Sequence, residues 1–387
     1  MLRPYFADLH IHIGRDIAHN PVKITASKHL TLTNILLEAS ERKGIELIGI
    51  VDTQSPAVQR EIKTLIDHQE AYELVDGGIR FQNVTMLLGV EIELYDANCH
   101  GPIHVLCFLP TLEKMKKFST WLSKHMKNIF LSSQRYYGSA KELQRKVKSF
   151  NGLFIPAHVF TPFKSLYGKG VKRSLTEVFK PELIDSIELG LSSDTTMADH
   201  IQELHHYTYI SNSDAHSLRK IGREYQEVLL EQPSFKEFQL ALKQTNGRKI
   251  NRNFGLNPKL GKYYTTVCRQ CLQPLNQRAS KCLNCHSEKQ VKGVFDRILE
   301  LATTECATPD RPPYIYQVPL DFLPTLGPKT YEKLLDAFQT EMNIIHEATY
   351  EQLKRVTSKK IAKLILDMRQ GQLNIQAGGG GKYGKIT

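Results

Sequence analysis

The chain has no apolar stretch long enough to cross a bilayer; a spanning helix needs about 18–20 uncharged residues. No helical membrane protein is expected. The opening residues, Met1-Leu-Arg-Pro-Tyr-Phe-Ala-Asp8, lack the apolar centre of a secretion signal. The sequence therefore predicts a cytoplasmic protein, nucleoid-associated if its partner is DNA. No GxxxxGK[ST] phosphate loop is present, which excludes a P-loop helicase. No repeat of fixed period is found. Acidic residues are in short supply, 40 against 51 basic, for a formal net charge of +11. That excess favours a polyanionic partner through phosphate contacts. It fits a merely basic soluble protein as well. Cysteine is sparse, at seven residues. Disulfides would need an oxidising compartment, and four of the seven fall instead into two Cys-x-x-Cys pairs.

What remains is an ordinary globular composition, 41% hydrophobic and 24% charged over 387 residues. It allows two or three domains and a full core. Short apolar runs alternate with amphipathic stretches to about residue 254, the pattern of an α/β domain with a parallel sheet or barrel. The strand candidates are Tyr5–His10, Glu46–Asp52, Thr85–Leu94, Ile103–Phe108, Gly152–Ala157, Asp185–Leu189, Tyr207–Ser211 and Glu227–Leu230. The helix candidates are Thr33–Gly44, with a threonine cap and a closing glycine, then Thr111–Lys127, Ala140–Ser149 and Asp194–His206. Residues 255–294 form a small basic cysteine module carrying Lys259, Lys262, Arg269, Arg278, Lys281, Lys289 and Lys292. A helical region follows over 295–375, with helices expected at Phe295–Ala302 and Lys329–Arg369. The glycine-rich end, 376–387, is either a disordered tail or a segment that orders on a partner.

Asp8-Leu-His10-Ile-His12 closes the first strand candidate. Side chains on a strand repeat every two residues, so His10 and His12 face one side and can share a metal. Ser213-Asp214-Ala-His216 repeats that spacing after another apolar run. Between them Glu91, His104 and His158 each stand at or near the end of a β-rich run. In parallel α/β folds such strand ends converge on the site. Seven imidazoles and carboxylates suit two or three divalent ions, with a carboxylate such as Glu91 as a bridge. Paired ions clamp a phosphoryl group and lower the pKa of a bound water. A single His-x-His is more often incidental; the joint pattern is not.

Motif by motif, His10-x-His12, Glu91, His104, His158 and Asp214-x-His216 resemble the PHP family (polymerase and histidinol phosphatase) over about residues 1–250. The resemblance implies a distorted seven-stranded β/α barrel with up to three metals, and His10, His12, Glu91 and Asp214 as the catalytic set. It implies one ion on His10, His12, Glu91 and Asp214, and a second on Glu91, His104 and His158. A third would lie on His216 with Asp16 or Asp52. Two departures bear on that third ion. The family's second motif, usually Asp-His, is Asp52-Thr53 here, and a further family histidine is replaced near Arg15-Asp16.

Cys268-Arg-Gln-Cys271 and Cys282-Leu-Asn-Cys285, ten residues apart, can close a tetrahedral zinc site with no open position, hence a structural one. Cys99, Cys107 and Cys306 have no partner pattern. Phe322–Leu335, with Leu326-Gly327-Pro-Lys329 at its centre, resembles half of a helix-hairpin-helix. There the turn would offer backbone N–H groups to a DNA phosphate; a plain interhelical turn fits the same residues. The order of barrel, zinc module and hairpin-bearing helices is similar to that of DNA-repair endonucleases in the PHP family. That likeness implies incision 5′ to deaminated bases (uracil, hypoxanthine, xanthine) or abasic sites in double- or single-stranded DNA, leaving a 3′-hydroxyl and a 5′-phosphate. It implies zinc, manganese or magnesium in the barrel beside one structural zinc, and leaves a sliding-clamp partner open. A damaged base is expected to be flipped. Phe163 and Tyr167 are candidates to stack on it, Lys169 to hold phosphate, and Ser192 and Ser193 to line the pocket. Lys281, Lys289, Gly327 and Lys329 are candidates for backbone contacts. A small-molecule phosphatase of the same class, or a non-catalytic DNA-binding accessory, are the alternatives.

Overall fold

Leu47-Ile-Gly-Ile50 and Leu153-Phe-Ile-Pro156 are apolar on both faces and wholly buried, as strands covered on two sides require. They belong to a closed barrel. In the computed structural model, which describes residues 1–261, 263–275, 281–303, 309–376 and 384–386, seven strands make it. They are β1 (Arg3–Ile11), β2 (Leu47–Ile50), β3 (Val84–Leu94), β4 (Ile103–Leu109), β5 (Leu153–Pro156), β6 (Ile187–Glu188) and β7 (Tyr209–Ile210). Lys262, Arg278, Cys306 and residues 377–383 of the glycine-rich end lie outside the described residues.

β1, β2 and β3 run parallel, and β4 is antiparallel to both β3 and β5. Asp185 N donates to Phe154 O and Val159 N to Glu188 O, each at 3.0 Å, joining β5 to β6. β6 pairs parallel with β7. Beyond β7, a parallel bridge between Ala215 and Ile11 returns the chain to β1. The expected PHP-type α/β barrel is therefore present, with β4 reversed. Outside the ring, β8 (Tyr225–Leu230) and β9 (Lys249–Gly255) extend the sheet of β1 antiparallel. β10 (Tyr314–Tyr316), from beyond the cysteine module, adds to β9 in parallel.

Helices cover the barrel where short polar caps precede apolar faces. α1 (Leu32–Leu37) is capped by Thr31, not Thr33, and its continuation ends at Gly44, whose φ of 77° suits a residue without a Cβ. α2 (Pro56–Asp67), α3 (Leu112–Leu122) and α4 (Ala140–Ser149) follow, α3 on a Thr111 cap. The helix expected over Asp194–His206 breaks after Thr195–Ala198. Asp199 turns inward there to accept from Tyr209 Oη at 2.8 Å and Arg311 Nη2 at 2.9 Å. α5 (Phe235–Leu242) packs on β8, and α6 (Val294–Leu301) follows the cysteine module. The helix expected over Lys329–Arg369 is three: α7 (Pro328–Phe338), α8 (Tyr350–Val356) and α9 (Lys359–Arg369). Gln339, at φ 71°, stops the first, and Thr349 and Ser358 cap the others. Leu334, Leu353 and Ile365 of these helices share one buried apolar cluster with Ile11, Ile48 and Val90 of the barrel. Among the described residues no helix is long and apolar enough to cross a membrane.

Candidate metal centre

Alternation along β1 puts Asp8, His10 and His12 on one side, and all three are fully buried. Asp8 is spent on the fold: its carboxylate accepts from Ser213 N at 3.0 Å and Gly222 N at 2.9 Å, pinning β1 to the Asp214 loop. His10 and His12 turn their rings towards each other, 5.2 Å between centroids. Asp214 Oδ1 lies 3.5 Å from Nε2 of both. Asp214 has φ 46° and His158 φ 30°. Such left-handed backbone at non-glycine residues is typical of constrained sites. A Cβ at Gly190 would meet His158 Cβ at 2.6 Å, so only glycine lets the end of β6 close on that histidine.

Glu91, on β3, joins the two halves. Its Oε1 is 2.7 Å from His104 Nδ1, 3.4 Å from His158 Nε2 and 3.5 Å from His10 Nε2. Its Oε2 is 3.6 Å from His12 Nε2. Two groups of donor atoms thus converge within 4.8 Å: His10, His12 and Asp214, and Glu91, His104 and His158.

Three observations test the fit to divalent cations. First, His10 Nε2, His12 Nε2 and His104 Nε2 are buried with no hydrogen-bond partner among the described residues. A buried polar atom left so costs about 1–3 kcal/mol. Second, the 3.5 Å separations are too long for hydrogen bonds but close to the roughly 3–3.4 Å between donors on one ion. Third, charge is unbalanced. Glu91, Asp52 and Glu188 are all but fully buried, Asp214 lies beside them, and each unpaired buried charge costs several kcal/mol, roughly. Burial lowers the His10 imidazole, but the Glu188 and Asp214 carboxylates outweigh it and hold it well above its ordinary value. Burial raises Glu91 and Asp214, yet His104 with Lys23, and His10 with His12, keep both well below the carboxylate range. The pocket calls for cations, and divalent metal ions suit its donors.

Two carboxylates orient the imidazoles: Glu188, absent from the expected ligand set, and Asp52, expected there as a ligand of the third ion. Glu188 accepts from His10 Nδ1 at 3.0 Å, and also from His158 N and Asn212 Nδ2, each at 2.8 Å. Asp52 faces His12 Nδ1 at 3.1 Å and accepts from Ile13 N at 2.7 Å. A proton on each Nδ1 leaves Nε2 free to bind, as in carboxylate–histidine–metal sites. Glu188 stood at a strand end in the sequence and its parity could have singled it out. Lys23, the other residue missed, carries no periodic signature. Its Nζ is 3.1 Å from Glu91 Oε2 and 2.5 Å from Ser133 Oγ.

Among the described residues, Asp16, Asp52 and His216 belong to neither group of three converging donors. Asp16 accepts from Asn20 N at 2.8 Å and Asn20 Nδ2 at 3.1 Å. Asp52 engages His12 through Oδ2, while its buried Oδ1 has no hydrogen-bond partner among the described residues. His216 Nδ1 donates to Asp214 O at 3.0 Å, and its ring packs 4.8 Å from His12.

Glu91, His104, His158, Asp214 and His216 open into a cavity of about 1070 Å³. Ser192 and the half-exposed Phe163 line it, as do Ile24, Tyr263, Phe322 and Lys385. Tyr167 does not reach it. It is buried, its ring stacks 5.4 Å from Phe160, and its hydroxyl donates to Glu203 at 2.8 Å, so it is not available to stack on a base. Ser193 is likewise turned inward, donating to Leu189 O at 2.9 Å. Lys169 sits 5.6 Å over the Phe163 ring and lines a smaller cavity of about 180 Å³ with Arg269, Lys292 and Arg297. Lys281, Lys289, Gly327 and Lys329 are exposed and lie outside the large cavity. Residues 384–386 of the glycine-rich end pair back on Ile375-Gln376, and Gly384 N donates to Leu260 O at 2.9 Å. They form part of the cavity wall. The thiols of Cys268, Cys271, Cys282 and Cys285 also converge, with Sγ···Sγ distances of 3.5 and 3.4 Å. About 3.8 Å is the edge of a tetrahedron of sulfurs on zinc.

No family model matches the chain. It is 54% identical over 385 residues to the uncharacterised protein YqxK of Bacillus subtilis (strain 168), and the match covers the whole of both. The crystal structure of PfuEndoQ, a lesion-specific endonuclease from Pyrococcus furiosus, superposes with a TM-score of 0.86 at 32% identity, covering 99% of this chain and 95% of that one. An endonuclease Q complex with a 27-mer duplex carrying an abasic lesion at the active site gives 0.84 at 32% identity, covering 99% and 96%. Fold, site and kinship define the class, a phosphodiester hydrolase built on a PHP-type barrel. Within it, the chain belongs to the endonuclease Q family.

Proposed function

We propose that this chain is a metal-dependent repair endonuclease that incises DNA on the 5′ side of a deaminated base or an abasic site, leaving a 3′-hydroxyl and a 5′-phosphate. The observation that carries the reading is Glu91, standing between two buried donor groups at the foot of a roomy cavity. The likeness to a lesion-specific endonuclease over 99% of the chain supports it. His10, His12 and Asp214 would hold one ion, Glu91, His104 and His158 a second, and the four thiolates a structural zinc. When bound, such ions polarise a phosphodiester and activate water. The chain's own residues prepare the site. Glu188 and Asp52 fix two imidazoles by Nδ1, and the shared Glu91 sets the spacing of the two donor groups. About 1070 Å³ is ample for one extruded nucleotide. Phe163 offers a face for its base and Ser192 a hydroxyl. Opening a damaged pair costs least, which favours lesions before any base is read.

The test uses end-labelled duplexes, each with a single uracil, hypoxanthine, xanthine or abasic site, and the metal-loaded protein. Cutting 5′ to the lesion, with an undamaged duplex left intact, is the expected result. Intact lesion duplexes under zinc, manganese and magnesium, or cutting that ignores the lesion, would overturn it.

A further inference from the structure

We propose that Glu224, held as a neutral carboxyl, latches β10 to the barrel, and that giving up its proton opens that seam. The joint is pH-sensitive, lies outside the metal centre and does not depend on what the protein cuts.

Buried polar atoms without a hydrogen-bond partner mark the metal centre, and they recur where β10 joins the sheet. Ser211 Oγ, Glu224 Oε2, Asn253 Oδ1 and Tyr314 Oη are all of this kind among the described residues. They come from neighbouring segments. Ser211 follows β7, Glu224 precedes β8, Asn253 lies in β9 and Tyr314 opens β10. Asn253 stands in register with Gln226 of β8 on one side and Tyr314 on the other. Ser211 N donates to Gln226 Oε1 at 2.9 Å. The Glu224 side chain folds over Gly255, where its Oε1 accepts from Leu256 N at 2.8 Å. The Tyr314 hydroxyl reaches over the same glycine. A Cβ there would collide with Tyr314 Oη and meet Glu224 Oε1 at 3.0 Å. Bare Gly255 thus lets the hydroxyl of β10 and the carboxyl lie side by side.

Nothing at this seam welcomes a negative charge. Glu224 is wholly buried. The buried Glu341 has Lys43 at 2.7 Å, whereas Glu224 has no ion pair among the described residues. The adjacent cation, Arg223, directs Nε to Ser213 O at 2.7 Å and Nη2 to Asp214 O at 3.3 Å. The other charged groups towards it are carboxylates, Asp8 of β1 and Glu188 of β6. Asp194 lies beyond them and accepts from Tyr316 Oη at 2.8 Å. Burial pushes the Glu224 carboxyl up to about 8, and Glu188 and Asp8 push the same way; the Leu256 amide and Arg223 offset only part. A neutral carboxyl donates as well as accepts, so Oε2 can give a hydrogen bond within this cluster of oxygens. As a carboxylate it can only accept, with two more carboxylates behind it. Water is then the remedy, and β10 is the thinnest cover against it. Its three half-buried residues form the edge of the sheet and pair with β9 alone. Once β10 lifts, the proton leaves near the ordinary value of 4.5; in the closed seam it stays to about 8. The closed form therefore binds more protons between those values, and its hold weakens as pH rises across them.

Amide hydrogen exchange on the metal-loaded, full-length protein reads the seam, with each rate corrected for the pH dependence of exchange itself. In the wild type, protection of residues 314–317 should fall by up to roughly tenfold per pH unit from about 6 to 8, then level off. Glu224→Gln keeps the shape and the neutrality, and the same residues should lose that slope. An equal slope in both proteins, or none in either, overturns the proposal. So does a wild-type slope confined to other segments. Where the variant fails to fold, the wild type alone decides. With its glutamate side-chain carbons isotope-labelled and followed by NMR, one carboxyl should titrate near pH 8, apart from the rest. A full set of glutamates ionised by about pH 6 sinks the idea.

Discussion

Glu188 and Asp52 grip two imidazoles by the nitrogen that faces away from the cavity. Glu188 has the heavier task, since three donors converge on it: His10 Nδ1, His158 N and Asn212 Nδ2. Glu188→Gln keeps the shape, removes the charge and presents an amide NH₂ to one of those donors. Metal affinity in the barrel should fall by about 10–100-fold. Cleavage should fall with it at limiting metal and recover substantially in excess. A metal titration followed by cleavage rate checks both, and an unchanged midpoint would remove Glu188 from the site.

At the scale of elements, the C-terminal helices are bonded to the barrel through a histidine that cannot afford a proton. His346 follows α7, stacks 4.6 Å from Phe6 of β1, and accepts from Tyr225 Oη of β8 at 2.7 Å. Phe254 packs against its ring. Burial, with Arg369 and Arg252 nearby, presses it down to about 3. An unfolded chain takes up that proton near pH 6.5, while the folded one refuses it until about 3. The unfolded state therefore binds more protons between these values, and stability falls with falling pH across the window. His346→Phe should remove that dependence. Thermal unfolding between pH 7 and 5 should show the wild type losing stability faster, by up to about 1.4 kcal/mol per pH unit. Parallel curves would refute the linkage. Neither this contact nor β10 could be read from the sequence, because both depend on which distant segments meet. The eight apolar runs were legible as strands, since alternation and burial are local properties. The donor set from His10 to His216 was legible for the same reason, being tied to strand ends. Asp52 was visible, but its partner was not. A carboxylate beside a metal motif reads as a ligand until its distance to His12 Nδ1 is known.

For the whole molecule, the question is how a cavity that accepts one nucleotide is brought to a duplex. The net charge of +11 supplies attraction without direction. Lys281, Lys289 and Lys329 are exposed and outside the cavity, as residues that hold flanking phosphates would be. Lys281 is partly drawn off by Glu288 at 3.3 Å, a surface pair of small worth. The triple variant Lys281→Ala, Lys289→Ala, Lys329→Ala should weaken binding to damaged and intact DNA by a similar factor. It should flatten the salt dependence of affinity by up to about one unit of slope per lost phosphate contact. Phosphate contacts carry no base information, so the ratio of cleavage rates on lesion and normal duplexes should hold. A collapse of that ratio with an unchanged salt slope would move lesion reading out of the barrel.

β10 reaches its place beside β9 only after the cysteine module and α6 have been made. Until then β9 presents an open strand edge, the kind of surface on which chains stick to one another. In the order in which a ribosome releases the chain, the ligand set is complete once Asp214 and His216 have emerged, while the sheet beside it stays unsealed until residues 314–316 follow. A nascent barrel of this kind is an aggregation hazard first and a nuclease second. The length of chain between β9 and β10 sets how long a cell must shelter it.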